Sequence, residues 1–222
     1  MADRTAKIRE ACLTMHEVPV DAGDSYYSRG ESAAGLEVFW GRRSIFPNLF
    51  HQLDLTDTLE LACGRGRHSA QIVERCKSLI VVDGLESNIE VCRSRFAEFD
   101  HVTCIANNGV DLQNVASDSL TAVFSYDAMV HFEAMDVIGY VREIGRVLKV
   151  GGRALLHYSA NERAPTGVFQ DDQGWRSFFS EKMMQHFADR ANMSTLASMT
   201  MSWSDSRYIS DAVSLLEKRA VL

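Results

Sequence analysis

The stretch Leu59–Ser69, LELACGRGRHS, decides how this chain is to be read. An apolar run leads into Ala62-Cys63-Gly64-Arg65-Gly66, and polar residues follow at Arg67, His68 and Ser69. Two glycines one residue apart let the backbone turn sharply and let a ligand come close to it. A P-loop would need Lys and then Ser or Thr after its second glycine, to handle phosphate and magnesium; Arg67-His68 stands there instead. A GxGxxG dinucleotide loop needs a third glycine for close packing of helix on strand, and Ser69 occupies that position.

Outward from the loop, apolar runs alternate with helical patterns. Thr58 to Ala62 reads as a strand and Arg67 to Cys76 as the helix after it. Ser78 to Val82, His101 to Ile105, Leu120 to Ser125 and Arg153 to Tyr158 read as further strands, with helices at Glu86 to Phe96 and Met135 to Leu148. The turn KVGG, Lys149 to Gly152, is expected to stop the latter helix with a glycine cap. This order predicts an α/β fold: a Rossmann-like, doubly wound parallel sheet covered on both faces. The end of the chain differs. After a helix at Ser180 to Ala191, the segments Ser194 to Trp203 and Arg207 to Lys218 look extended and are joined by Ser204-Asp205-Ser206. A turn of that size joins antiparallel strands, so a sheet of seven strands is expected to close with a hairpin. The whole reads as one domain: a helical cap over residues 1–53, a core over 54–160, and a closing part over 161–222 with a loop, a helix and the hairpin. Glu37 to Leu53 is helical in pattern within the cap, and Asn161 to Gly174 is long enough for a substrate loop.

Composition narrows the function. The 222 residues are 46% hydrophobic, enough for a sizeable core. Lys and Arg number 23 against 30 Asp and Glu, for a net charge of -7, and no basic run occurs. That disfavours nucleic acid as a partner, because counterion release needs clustered cations. No apolar stretch is long enough for a membrane span and no apolar signal core opens the chain, so a cytoplasmic protein is expected. The five cysteines, Cys12, Cys63, Cys76, Cys92 and Cys104, form no CxxC pair and read as reduced thiols.

A third occupant of the glycine loop is S-adenosylmethionine, which needs close backbone approach but no cradle for a pyrophosphate. Asp83 ends the run LIVVD and lies 19 residues beyond Gly64, a spacing that suits an acid on the ribose of either nucleotide cofactor. Three stretches then resemble the class I S-adenosylmethionine-dependent methyltransferases: LELACGRGRHS, IVVDG at Ile80–Gly84, and REIGRVLKVGGRALL at Arg142–Leu156. The resemblance runs from about Thr58 to Ser159, and the closing hairpin fits that family's reversed seventh strand. It departs at Ala62, where the family has the first glycine of its loop. It implies that Glu60 orients the loop or meets the methionine end, and that Ala62, Cys63, Gly64, Gly66 and Gly84 offer backbone contacts. It further implies that Asp83 takes the ribose hydroxyls, Asn108 and Gly109 face the adenine, and Tyr126 borders the methionine moiety. For Asn107 and Asn108 a plain turn is the alternative, since Asn favours turns.

Acceptor-side candidates follow the fourth and fifth strands, where open parallel sheets bind ligands. They are Asp127, His131 and Glu133 in YDAMVHFE and His157 in LLHYSAN. A hydroxyl acceptor needs its proton removed, and histidine titrates near neutrality. His131 is therefore the expected base, with Asp127 holding its tautomer and His157 the second candidate; a histidine packed against backbone is the alternative for either. Trp40, Arg43 and Tyr158 are candidates to meet the acceptor. Asp127, His131, Glu133, Glu162 and Asp171 are too irregularly spaced for a metal set, and no metal is expected. FSYDAMVHFE and LLHYSANE also resemble small methyltransferases linked to glycan and surface-polysaccharide assembly. The resulting expectation is O-methylation of a small molecule or glycan. N-methylation of a small amine, or an inactive cofactor-binding partner subunit, is the alternative, and a homodimer is left open.

Overall fold

A computed structural model describes residues 5–8, 10, 11, 13, 26–163, 165–172, 175–202 and 210–220. Cys12, Trp203 and the turn at 204–206 lie outside the described residues. Helices α1 (Tyr26–Glu31), α2 (Ala33–Trp40) and α3 (Ile45–Phe50) precede the core. The core runs β1 (Asp57–Leu61), β2 (Ser78–Asp83), α4 (Glu86–Arg95), β3 (Val102–Ala106), β4 (Leu120–Met129), α5 (Ala134–Val147) and β5 (Leu148–Ser159). Helix α6 (Glu181–Arg190) and strands β6 (Met193–Met201) and β7 (Asp211–Lys218) close the chain.

The seven strands form one sheet in the order β3-β2-β1-β4-β5-β7-β6. The first five pair in parallel and β7 pairs antiparallel with both β5 and β6, as the sequence pattern predicts. Strand residues alternate between two faces. On β4, Val123 and Met129 pack with Tyr140, Val141 and Ile144 of α5 and Met184 of α6. Ala122, Phe124 and Tyr126 point the other way, into Phe39, Phe46 and Phe50 of the cap and Ile89 and Cys92 of α4. Helices thus cover both faces. Apolar residues of α5 lie on one side, its first turn carries Asp136 and its last Arg146, which suits the helix dipole. In α6 the Ser180 side chain accepts from the Met183 N–H at 3.2 Å, a cap worth about 1 kcal/mol.

Three local expectations are corrected. The helix expected at Arg67 to Cys76 is two three-residue 3-10 turns, Ser69–Gln71 and Val73–Arg75. Arg67, His68 and Ser69 are all buried and each is tied to a partner elsewhere, and those tertiary ties override the helical pattern. No long helix dipole therefore points at the glycine loop. The helix expected from Glu37 to Leu53 is divided between α2 and α3, with Gly41 and Ser44 at the break. A side chain at Gly41 would meet the Glu37 carbonyl at 2.2 Å. Finally, α5 ends in an extended Leu148 and not in a glycine cap. Leu120 pairs with Leu148 and Ala122 with Arg153, so Lys149–Gly152 bulges out within β5, with Gly151 at φ +78°.

Candidate active site

The glycine loop leaves the carboxyl end of β1. Ala62, Gly64 and Gly66 have φ of 55°, 54° and 78°, three left-handed residues in five. Ala62 alone of these carries a side chain in a region that costs a non-glycine residue about 1–3 kcal/mol. Glycine at Gly66 answers a packing demand as well, because a Cβ there would lie 2.7 Å from the Phe96 ring. Asp83, at the end of β2, latches the loop. One carboxylate oxygen accepts the Gly64 N–H at 2.9 Å; the other accepts the Leu85 N–H at 2.9 Å and the Asn88 amide at 3.0 Å. The Cys63 thiol turns inward, 3.9 Å from that of Cys92, and burial pushes its pKa well up; its N–H donates to the Val82 carbonyl at 3.0 Å and its carbonyl accepts the Gly66 N–H at 2.9 Å. Gly84 lies beside Gly109, whose Cα would be 3.6 Å from a Cβ at Gly84.

Glu60 lies beneath this loop, fully buried on β1. Ser69 donates to its Oε2, and Oε1 has no partner among the described residues. Burial pushes the carboxyl up to about 8, against the opposing Ser69 hydrogen bond and the Arg67 charge. A neutral acid with an idle oxygen sits beside a cradle of left-handed residues, and that arrangement fits a cofactor bearing a cationic end. The linkage sign follows from the raised pKa. The neutral form favours folding below the unfolded value of about 4.3, and this contribution is lost as pH rises through about 8. Urea unfolding should therefore find Glu60→Gln gaining on the wild type by a few kcal/mol between pH 5 and pH 8.5, at about 1.4 kcal/mol per unit. A stability difference constant across that range would show that Glu60 is ionised throughout.

The residues expected on the acceptor side lie at the carboxyl ends of β4 and β5. His131 is held by the Trp175 carbonyl, 2.5 Å from Nδ1. A carbonyl only accepts, so the proton is on Nδ1 and Nε2 carries the lone pair. Nε2 makes no hydrogen bond among the described residues. Burial pushes the His131 pKa down, so the ring is neutral at pH 7. Asp127, in a left-handed conformation at φ 58°, pairs instead with Arg67 at 2.9 Å, both nearly buried. Removing one partner of such a pair costs about 3–5 kcal/mol. Arg67 also lies over the Phe39 ring at 4.3 Å. Beside it, Trp40 donates its indole N–H to His68 Nδ1 at 3.0 Å. Indole and guanidinium can only donate, so the His68 proton is on Nε2 and its 3.2 Å approach to Arg67 brings two donors together. Burial, with help from the Arg67 charge, holds His68 well below its ordinary pKa and therefore neutral.

Residues 58–152 match the family model described as a methyltransferase domain. From β1 into β5 this chain is thus similar to a methyltransferase domain. No curated protein matches the chain by sequence. Among solved structures, geranyl diphosphate C-methyltransferase from Streptomyces coelicolor A3(2), bound to Mg2+, geranyl diphosphate and S-adenosylhomocysteine, is 18% identical. That likeness covers 90% of this chain and 88% of the other at a TM-score of 0.66. A candidate sarcosine dimethylglycine methyltransferase from Galdieria sulphuraria is 12% identical, over 78% and 84% of the two chains, with a TM-score of 0.64. An S-adenosylmethionine-dependent methyltransferase from Methanosarcina mazei is 14% identical, over 79% and 99%, with a TM-score of 0.62. At these identities the likeness shows the fold alone, the class I methyltransferase fold. Domain match and neighbours together support S-adenosylmethionine as the cofactor.

Within the matched segment, the structure brings Glu60, Ala62, Cys63, Gly64, Gly66 and Asp83 together around one loop. Other sequence candidates are engaged elsewhere. Asn108 is spent in a turn, its Oδ1 accepting from the N–H groups of Val110 and Asp111 and its amide donating to Asp111. The Gly109 N–H goes to Asn107 Oδ1 at 3.0 Å. These bonds are those of a turn, and they engage the groups that an adenine contact would use. The Tyr126 ring is buried, stacked on Phe46 at 3.8 Å, with its hydroxyl donating to the Phe39 carbonyl and meeting Ser44. It braces the cap and presents no face to a cofactor. Tyr158 is fully buried with its hydroxyl on Ser214 and so cannot meet an acceptor. Trp40 is tied to His68, and Arg43 lies exposed beyond α2.

His157 is fully buried with both nitrogens engaged. Nδ1 accepts the Asp127 N–H at 3.1 Å and Nε2 donates to Asp211 at 3.0 Å. Asp211 is also gripped by Arg176 at 2.6 and 2.8 Å; burial raises its pKa, but these hydrogen bonds outweigh that and hold it below the usual carboxylate range. The Asp127 carboxylate does not hold His131, a correction to the expected pair, because Arg67 takes it and the Trp175 carbonyl takes the imidazole. Glu133, Glu162 and Asp171 are exposed, and among the described residues no group of three His, Cys, Asp or Glu is gathered for a metal ion. No helix of the described residues is long and apolar enough to cross a membrane. Arg67 and His68 escaped the sequence reading although they sit within the glycine motif itself. Arg176 and Asp211 lie far along the chain with no motif around them.

Proposed function

We propose that this protein transfers a methyl group from S-adenosylmethionine to a hydroxyl of a small molecule or glycan, with His131 as the base. The observation that carries the reading is the His131 tautomer: its proton is fixed on Nδ1 by the Trp175 carbonyl, leaving the Nε2 lone pair uncommitted. A base poised in this way suits a hydroxyl more than an amine, which brings its own lone pair. When bound, S-adenosylmethionine supplies an electrophilic methyl with a neutral thioether as leaving group. The chain's own residues bind and orient: Asp83 takes the ribose, Glu60 serves the cationic methionine end, and the loop Ala62–Gly66 gives the backbone approach. His131 takes the acceptor proton. In this reading the chain is one domain with a cap at 1–53, a core at 54–160 and a closing part at 161–222. The glycan class draws its support from the sequence stretches FSYDAMVHFE and LLHYSANE, and acceptors as unlike as those named for the neighbours warn against reading substrate from fold.

The test incubates the full chain with S-adenosylmethionine and two acceptor sets, sugars or phenols and primary or secondary amines, and measures S-adenosylhomocysteine release and product mass. Turnover of hydroxyl acceptors is expected. Turnover of amines alone, unaffected by loss of His131, would replace this reading with N-methylation. Tight S-adenosylhomocysteine binding with no turnover on any acceptor would favour a cofactor-binding partner subunit.

A further inference from the structure

Between β5 and α6, residues 175–180 are pinned beside His131. Arg176 grips Asp211, the Ser177 N–H donates to the Val130 carbonyl at 3.1 Å, and the Ser177 hydroxyl donates to the His131 carbonyl at 2.9 Å. Ser159 donates to the Ser177 carbonyl at 2.5 Å. Phe179, just beyond, is fully buried. Immediately before these pins stands Trp175, at φ 55°, a conformation that bulky residues rarely adopt. Its N–H is tied back to the Asp172 carbonyl at 2.9 Å, its ring lies edge-on to Phe169 at 6.0 Å, and its carbonyl meets His131 Nδ1. The left-handed turn is what aims that carbonyl while the chain on either side is held.

We propose that Trp175 is a positioning residue for the transfer: the docked segment 175–180, through the Trp175 main-chain carbonyl, fixes His131 with its proton on Nδ1 and its lone pair on Nε2. The inference rests on the reading of His131 as the base. An imidazole free in water exchanges between two tautomers, and only one of them presents a lone pair at Nε2. Docking of the segment therefore sets how much of the protein holds a competent base, a gating role for the loop. The charged groups facing His131 are Arg176 from the segment, Asp127 from β4 and Asp211 from β7. Arg176 opposes protonation and both aspartates favour it, yet none of them holds Nδ1.

The test compares Trp175→Gly with Trp175→Val in the full chain. Glycine keeps the left-handed turn and its carbonyl without strain, whereas a β-branched residue disfavours that turn. Long-range proton–nitrogen NMR at pH 7.5, assigned with His131→Ala, reads the tautomer directly. Wild type and Trp175→Gly are expected to show protonated Nδ1. Trp175→Val is expected to show the other tautomer or a mixture, with kcat lowered about 10-fold or more and S-adenosylhomocysteine affinity within twofold of wild type. Protonated Nε2 in the wild type, or an unchanged tautomer in a Trp175→Val protein whose kcat has fallen, overturns the proposal. If the tautomer follows the loop but His131→Ala turns over like wild type, the base reading is overturned and control of the tautomer by the loop is upheld.

Discussion

Asp83→Ala is expected to weaken S-adenosylhomocysteine binding by about 10²-fold or more, measured by calorimetry on the folded protein. Two ribose hydroxyls on a carboxylate make charge-assisted bonds of about 1.5–3 kcal/mol each. Even the lower end of that range amounts to about two decades in affinity. The structure adds a second reason. The same carboxylate holds the Gly64 N–H, the Leu85 N–H and the Asn88 amide, so its removal unlatches the glycine loop from the start of α4. A carboxylate has about four lone-pair directions, and these donors engage at least three of them. On the proposed reading a ribose diol shares with, or displaces, one of these donors, which would couple ligand binding to loop shape at this side chain. Asn88→Ala is the control, since it removes a structural contact and no ligand contact. If Asp83→Ala is folded and binds S-adenosylhomocysteine as tightly as Asn88→Ala does, Asp83 has no ribose role. Selective binding of NAD by the wild type would count against the cofactor itself.

The parts of the fold that were legible in the sequence are those in which local pattern and tertiary demand agree. SLIVVD is a buried strand by composition and is β2. The apolar spacing of AMDVIGYVREIGRV is helical, and α5 buries that face. The antiparallel close follows from two extended segments so near in sequence. Where the two demands conflict, the tertiary one prevails. Arg67, His68 and Ser69 carry an acceptable helical pattern, yet a salt bridge, an indole contact and a carboxyl contact draw them inward and leave only 3-10 turns. The glycine loop and its contact with Asp83 were legible because they are local: one strand end, one turn and an acid at a fixed distance. The acceptor side was not, because its contacts join Asp127 to Arg67, His157 to Asp211 and His131 to Trp175, pairs 30 or more residues apart in the chain. Even so, the histidine that sequence reasoning preferred is the one with an uncommitted nitrogen, and the reason is topological. His131 lies past the end of β4 in a loop, whereas His157 lies inside β5 between two paired neighbours.

His131→Ala is expected to lower kcat on a hydroxyl acceptor by about 10²–10⁴-fold, the usual cost of losing a general base. Cofactor affinity should stay near that of the wild type, because the proposed function gives the cofactor to Glu60, the glycine loop and Asp83 and not to His131. The pH profile sharpens the test. Burial pushes the His131 pKa down, with the Trp175 carbonyl opposing. The neutral base therefore persists below the ordinary histidine value of about 6.5. Wild-type kcat/KM should be flat near neutrality and fall on the acid side only below about pH 6.5, and that acid limb should vanish in His131→Ala. A hydroxyl can also lose its proton to water late in an in-line displacement, and the remaining rate measures how far that route carries. His157→Ala is the matched comparison. It removes the acceptor that the Asp127 N–H uses and one donor on Asp211 while Arg176 remains, so its expected effect is a loss of stability. If folded His157→Ala loses turnover at full cofactor affinity while His131→Ala keeps it, the base is His157, and Asp127 and Asp211 become its orienting groups. If both variants keep wild-type turnover on the true acceptor, neither histidine is a base and alignment of the reacting groups alone carries the transfer.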